Sequence, residues 1–472
     1  MMFLMYRKLF FPVAVFLMIA GNNYSQTNEN EGKLHLTLKQ CIELTLKNNN
    51  SRNAYTYAIK SAEAKIKQAN SGHYPNLDLT TAYTVQDQDM NFVQPAFSLQ
   101  LPAMNLGTLS IPPLKFNVPE QNIKVADNQT FAVQLDFMMP LFLGGKISSF
   151  VKQAESNLEM VKYDSKQNDD EIIFQTKKLY YAVILATKLN NLAQEALDRM
   201  SSTLKFTESL YQQGSGRVTK SDYLKNKTFV EVIKAIVSQL EGEKKVAQAA
   251  LINAMGLEWN SQIEIQENEI PYTPLNEPLE NLVEVLKANN PFLAKVENGL
   301  NALQSKIDES KSDYFPSVAL IGTYRRLFSD YDYGFTTKEN KNLWTVGLGM
   351  QINLFNGLRT SAKVEEAKAN YYQLSEQRET LRKGLTLKLQ YLYYKLKSTG
   401  DKLDASKEAA ATSTENRDLV ERAYYADLME LEDMIQAQLT ESMTSAQLQL
   451  VKYEYAVLEA ELESVLSKNV QQ

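Results

Sequence analysis

The 472-residue chain holds one cysteine and two histidines. A disulfide within the chain is excluded, and a zinc site of His and Cys would take nearly the whole supply. Cys41, His35 and His73 have no metal-ligand spacing, so neither a metal nor a cofactor is expected. Cys41, beside Ile42, reads as a buried helix thiol and the histidines as ordinary polar positions. Charge of one sign is also lacking: 50 Lys and Arg face 56 Asp and Glu, a net charge of −6. A nucleic-acid partner, which favours a strongly basic face, is therefore not expected. Past the N-terminus no run of 18 apolar residues occurs, so no membrane helix is expected. A phosphate-binding loop, a catalytic triad and a metal cluster are all missing, and the scattered carboxylates read as solvated helix faces, so the chain is not expected to be an enzyme.

The N-terminus carries a charged head, Arg7-Lys8, and an apolar run from Leu9 to Ala20. That run is short for a membrane span, which needs about 20 residues, and suits the core of a secretion signal. Polar residues Asn22 to Glu31 come next, so residues 1–25 are expected to be a signal peptide; the alternative is a buried N-terminal helix. A secreted chain without a membrane helix is either soluble or a β-barrel.

An internal repeat organises the remainder of the chain. Leu44–Pro75 and Leu282–Pro316 share an Asn-Asn pair, a Lys-Ile pair (Lys65-Ile66, Lys306-Ile307) and a closing aromatic-Pro; the shift is 240 residues at the Asn pair and 241 after one inserted residue. Further on, a shift of 213 carries Pro140–Lys146 (PLFLGGK) onto Asn353–Arg359 (NLFNGLR) and Tyr211 onto Tyr424. Repeat one is placed at 36–256, a linker with Pro271, Pro274 and Pro278 at 257–278, and repeat two at 279–468. Each repeat is expected to hold a helix of about 35 residues, two strands, a Gly-marked turn, a helix of roughly 65 residues and a last helix of about 35 to 40. A 65-residue helix spans roughly 100 Å, which no compact domain accommodates.

Within the first long helix an inward stripe can be drawn through Leu179, Val183, Ala186, Asn190, Ala193, Leu197, Met200 and Leu204. Its second-repeat equivalent is Leu392, Leu396, Thr399, Leu403, Ser406, Ala410 and Ser413. Steps alternating four and three make a left-handed supercoil. The strands alternate instead with period two. Phe131, Val133, Leu135, Phe137 and Met139 share a face, as do Trp344, Val346, Leu348, Met350 and Ile352; Leu77, Leu79, Thr81, Tyr83 and Val318, Leu320, Gly322, Tyr324 agree less sharply. Strands of about 10 residues, apolar on one face, are the mark of a membrane barrel, although a half-buried soluble sheet shows the same period. Four strands cannot close a barrel and an open edge is not tolerated in lipid, so several chains must combine. Between the first two strands, Asp87–Asn128 carries five prolines and reads as a long, irregular external loop over the mouth; its counterpart, Phe328–Asn342, is shorter and polar.

Leu38–Asn50 (LKQCIELTLKNNN), the helix end Ala64–Pro75, PLFLGG at Pro140–Gly145, its echo LFNGLR at Leu354–Arg359 and the Tyr-x-Asp tip together resemble the TolC family, over roughly Leu36 to Lys468. The resemblance implies a mainly α fold with some β: a tandem repeat of long coiled-coil helices with four transmembrane strands per chain. Three chains would make a 12-stranded β-barrel in the bacterial outer membrane, continuous with a periplasmic α-barrel. It implies an outer-membrane channel of a tripartite efflux or secretion system. Its partners would be a periplasmic adaptor protein, an inner-membrane pump of the RND or ABC type, and outer-membrane lipid.

The resemblance also implies a gate at the periplasmic helix tips. Tyr424 and Asp433 match the family's tip tyrosine and an aspartate of its acidic constriction, and Asp222 matches the equivalent aspartate of the first repeat. Three positions depart: Asp427 stands for a glycine, Met429 for the gating arginine and Gln436 for the second constriction aspartate. Arg217, or the acids Glu430 and Glu432, are the candidates to replace the lost partners; acids at a helix start also simply complement the macrodipole. Gly214, Gly216, Val218, Asp427 and Leu428 would form the tips on which an adaptor docks. The rival reading is a non-porous structural or adhesive coiled-coil surface protein.

Overall fold

The computed structural model describes residues 34–214, 216–330 and 337–468. The expected signal peptide, residues 1–25, lies outside the described residues.

Strand β1 (Leu34–Leu36) leads into helices α1 (Leu38–Asn48) and α2 (Asn50–Ser71). The expected single helix is therefore broken, and Asn49 breaks it. Its backbone is extended, and its Oδ1 accepts the N–H groups of Ser51 and Arg52, so it ends α1 while capping α2. Strand β2 (Asn76–Val85) follows, then β3 (Met90–Gln94), β4 (Phe97–Leu101), β5 (Met104–Leu106), β6 (Leu109–Ile111), β7 (Leu114–Val118), β8 (Gln121–Ala126) and β9 (Gln129–Leu143). The first repeat closes with α3 (Lys146–Gln212) and α4 (Lys220–Ala254), and β10 (Ile263–Ile265) lies in the linker. The second repeat runs α5 (Leu279–Asn289), α6 (Pro291–Ser312), β11 (Ser317–Phe328), β12 (Asn342–Gln351), α7 (Arg359–Tyr425) and α8 (Leu431–Leu466).

One shift of 241 carries α1 and α2 onto α5 and α6, end to end. No residue is inserted at the Asn pair, contrary to expectation: Asn49 corresponds to Asn290, which caps α6 through Phe292 and Leu293 in the same way. The run Asn48–Asn50 conceals which asparagine is the cap. Asn48 donates to the Met255 carbonyl at the end of α4, and Asn290 to the Val465 carbonyl at the end of α8. The shorter helices of each repeat thus meet end to end beside the long one.

Helices α3 and α7 are each 67 residues, or about 100 Å. In α7 the stripe Leu392, Leu396, Thr399, Leu403, Ala410 and Ser413 is buried, with Ser406 half-buried, and it continues in the same rhythm to Val420 and Tyr424. In α3 the expected stripe fits less well. Val183 and Met200 are buried and Ile172, Thr176 and Thr207 continue the rhythm, but Ile173, Tyr180, Tyr181, Ile184 and Thr203, which lie off it, are buried too. A heptad stripe assumes one partner, whereas α3 packs against α2, α4, α6 and α8.

Midway along the rods β1 pairs in parallel with β10. The linker straps two helices there: Glu267 accepts from the Tyr180 hydroxyl on α3, and Glu269 pairs with Lys188 of α3 at 2.9 Å and Lys452 of α8 at 2.8 Å. Cys41 is wholly buried beside this strap, and burial, helped by the Glu267 charge, pushes its thiol up to about 12. Nearby on α8, burial and then the Glu463 carboxylate push Glu459 up to about 7, against the pull of Lys177. A folded-state pKa above the ordinary 4.5 means that the folded chain holds the extra proton; stability is lost as pH rises from 4.5 through about 7. Glu459→Gln is therefore expected to raise the melting temperature at pH 8 and to leave it nearly unchanged at pH 5, as thermal melts at the two pH values would check.

The four long strands form one antiparallel sheet in the order β12-β11-β9-β2. Its register puts all four apolar sets on the same face: Leu79 and Tyr324 flank Leu135, and Trp344 lies opposite Tyr324. That face is bare, with Trp344 72% and Leu348 69% exposed. On the other face Asp136 accepts hydrogen bonds from Thr323 at 3.0 Å and from Gln134, and lies opposite Asp78. Strands β2 and β12 are edges, each with one neighbour among the described residues. Among those residues no helix is long and apolar enough to cross a membrane.

Residues 87–128 are not irregular. Strands β3 to β8 fold back as one long hairpin arm of three ladders, β3 with β8, β4 with β7 and β5 with β6. The prolines mislead because they cluster at the two joints: Pro95 and Pro119 at one, Pro102, Pro112 and Pro113 at the other. Between joints no ladder residue is a proline, so none of them removes a strand hydrogen bond.

Candidate gate at the paired helix tips

At the end of the rods remote from the sheet, two helix turns meet. Seven residues, 213–219, connect α3 to α4, and five, 426–430, connect α7 to α8. The first turn places Gly214 and Gly216 at φ +63° and +68°, and the second places Asp427 at +65°. A short Asp side chain enters this left-handed region more readily than most, which is how it stands where the resemblance expects glycine.

Thr219 and Asp222 form a reciprocal cap on α4. The Asp222 Oδ2 accepts from the Thr219 hydroxyl at 2.7 Å and the Thr219 N–H at 2.9 Å. These bonds hold its carboxyl below the usual range, so Asp222 stays ionised under neutral conditions. Asp222 thus has a local structural role beside any role at a constriction.

Arg217 reaches across to the second tip. Its Nε lies 2.5 Å from Asp427 Oδ1, its Nη2 donates to the Tyr424 carbonyl at 2.6 Å, and its guanidinium sits 5.4 Å from the Tyr424 ring centroid. Tyr424 is 2% exposed, edge-on to Phe206 of α3 at 5.9 Å. A second ion pair joins Lys225 of α4 to Glu432 of α8. The tips are thus tied by two ionic links over an aromatic floor.

An open cleft between the tips brings together Arg217, Asp222, Tyr424, Glu430, Glu432 and Asp433. Asp433 and Glu432 lie in the first turn of α8, and Glu430 precedes it without a side-chain cap bond. Gly214 and Gly216 are exposed on the first turn, and Leu428 stands 78% exposed at the apex of the second. Val218 is buried and offers no surface of its own. Lys225 and Phe206 carry no signal in the sequence, because their importance comes from a neighbour about two hundred residues away. The same holds for Asp78 and Asp136, whose opposition depends on strand register. Among the described residues no group of three or more His, Cys, Asp and Glu is arranged to hold a metal ion.

The family model described as outer membrane efflux protein matches residues 41–257 and 282–466. No curated protein matches the sequence. Among solved structures, the fold is similar to the outer membrane protein VceC of Vibrio cholerae, with a TM-score of 0.71 and 15% identity over 91% of this chain and 96% of that one. The CmeC outer membrane channel of Campylobacter jejuni gives 0.71 and 15% over 91% and 85%. The open state of the MtrE outer membrane channel of Neisseria gonorrhoeae gives 0.66 and 16% over 91% and 88%. At these identities the likeness is one of fold: a mainly helical tandem repeat carrying a four-stranded sheet.

Proposed function

The chain belongs to the outer membrane efflux protein family, and on that premise we propose that it is a passive conduit through which an inner-membrane pump exports small molecules to the cell exterior. Three copies combine their four-stranded sheets into a 12-stranded barrel in the bacterial outer membrane, and their rods enclose a path across the periplasm. The observation that carries this reading is the sheet: one continuous, bare apolar face and two open edges, set on rods of 67 residues. Such a sheet is stable in lipid only when copies close it. Energy comes from a pump of the RND or ABC type, engaged through a periplasmic adaptor at the tips, with Gly214, Gly216, Asp427 and Leu428 on the docking surface. Purified protein in a planar bilayer is expected to conduct; a non-conducting oligomer would favour the rival structural rod.

The tips form the gate. Arg217, Asp427 and Tyr424 hold the two turns of one protomer together, in place of the lock implied by the family resemblance, and opening is a hinge-like parting of the tips on partner binding. Asp433, with Asp222, Glu430 and Glu432 nearby, lines an acidic constriction that favours cations. Asp433→Asn is expected to lower the cation preference in single-channel recordings, and an unchanged preference would remove Asp433 from the constriction.

A further inference from the structure

The hairpin arm is apolar on one face and nearly without charge. Facing residues of a ladder lie on the same side of it. In the middle ladder the pairs Phe97 with Val118, Leu99 with Phe116 and Leu101 with Leu114 therefore form one wholly apolar face. The opposite face bears Ser98, Asn117, Gln100 and Lys115. The outer ladder repeats the pattern, with Met104 opposite Ile111 and Leu106 opposite Leu109. Leu99 is 53% and Phe116 51% exposed, so among the described residues nothing covers this face. A lone two-stranded ribbon is marginal in water and needs a hydrophobic face to be covered.

Three observations say what covers it. The arm grows from β2 and β9, and β2 is an open edge of the sheet, where a neighbouring copy must pair to close the barrel. The arm therefore begins at the seam between copies. Its own edges are blunted by prolines at both joints, which disfavours strand addition by a foreign chain and leaves the face as the contact surface. From Met90 to Gln121 the only charges are Lys115 and Glu120, so arms meeting one another face little repulsion. The basic rim that would hold an anionic lipid surface is lacking.

We propose that the arms of assembled copies pack on one another through the face of Phe97, Leu99, Leu101, Leu114, Phe116 and Val118, forming an apolar cover over the external mouth of the barrel. This rests on the conduit reading, since it needs copies closed around one axis. Cargo leaves when the arms part, so the external end is a second restriction, separate from the periplasmic tips.

Cysteine cross-linking in native membranes tests it. Cys41, the sole native thiol, is wholly buried and contributes no link. Leu99→Cys and Phe116→Cys, both at sites exposed in the protomer, are each expected to link chain to chain with a short bis-maleimide, several-fold more than Gln100→Cys on the opposite face. If neither links while light scattering shows the wild-type protein as an oligomer in detergent, the arms do not pack on one another and the proposal fails with the conduit reading intact. Labelling of Leu99→Cys by a photoreactive lipid in place of linking gives the face to the bilayer and overturns it too. A monomeric wild-type protein would remove the conduit reading and the proposal together.

Discussion

Arg217→Ala is expected to open the channel in the absence of any pump or adaptor, giving a several-fold rise in mean conductance in planar bilayers. Three interactions are lost at once: the ion pair with Asp427, the charged hydrogen bond to the Tyr424 carbonyl and the cation–π contact with its ring. The ion pair alone contributes little, because Asp427 is 70% exposed. The hydrogen bond and ring contact raise the sum to about 2 kcal/mol per copy. Three copies opening in concert would shift the closed-to-open ratio by about 6 kcal/mol, roughly four orders of magnitude. Asp427→Gly is the companion variant. It removes the ion pair while making φ +65° easier to adopt, so it is expected to open the channel to a lesser degree without disturbing the turn. A closed, wild-type-like Arg217→Ala channel would remove the residue from the gate.

Gly144→Ala is expected to have the largest effect on stability. Gly144 joins β9 to α3 at φ +62°, and an added Cβ would stand 2.7 Å from the Ser312 carbonyl oxygen and 2.8 Å from the Phe315 Cβ. The first is backbone at the end of α6 and cannot rotate away. Left-handed strain and overpacking together cost about 2–5 kcal/mol. The sheet-to-rod junction would loosen, and the yield of assembled protein in the membrane would fall sharply. Gly145→Ala is the control: φ is +83°, but nothing lies within 4 Å of its Cβ position, so only the conformational cost of about 1–2 kcal/mol remains. The second repeat shows that cost is bearable, since Leu358, the equivalent residue, sits at φ +64°. Thermal melts and recovery of oligomer from membranes should rank Gly144→Ala well below Gly145→Ala.

The repeat, the rod lengths and the phase of the strands are legible in the sequence because each is a periodic property, and period survives any uncertainty about partners. The apolar sets Phe131–Met139 and Trp344–Met350 fall on one face because the ladders keep a period of two along them, the one register shift between β9 and β11 falling beyond Met139, at Val318 and Ala319. What periodicity does not encode is where a helix with continuous propensity is cut. Asn49 and Asn290 cap the next helix with a side chain, a local hydrogen-bond choice among three adjacent asparagines in the first case. The arm is obscured by its prolines, which mark joints between ladders rather than loss of structure. At the tips, Asp222, Tyr424 and Asp433 stand out as residue types, but the link from Arg217 to Asp427 is written only in three dimensions. The two long helices also differ in legibility: α7 shows its seam plainly, whereas α3, packed on several sides, spreads its buried residues around the helix.

The most direct test of the conduit is where the bare face of the sheet resides. The chain has two tryptophans: Trp259, 87% exposed in the linker, and Trp344 on that face. Trp259→Phe leaves Trp344 as the sole emitter, for reconstitution into bilayers with brominated acyl chains. A sheet closed in lipid predicts blue-shifted emission, strongly quenched by the bromolipid. Water-like emission from Trp344 that bromolipid leaves untouched would contradict it.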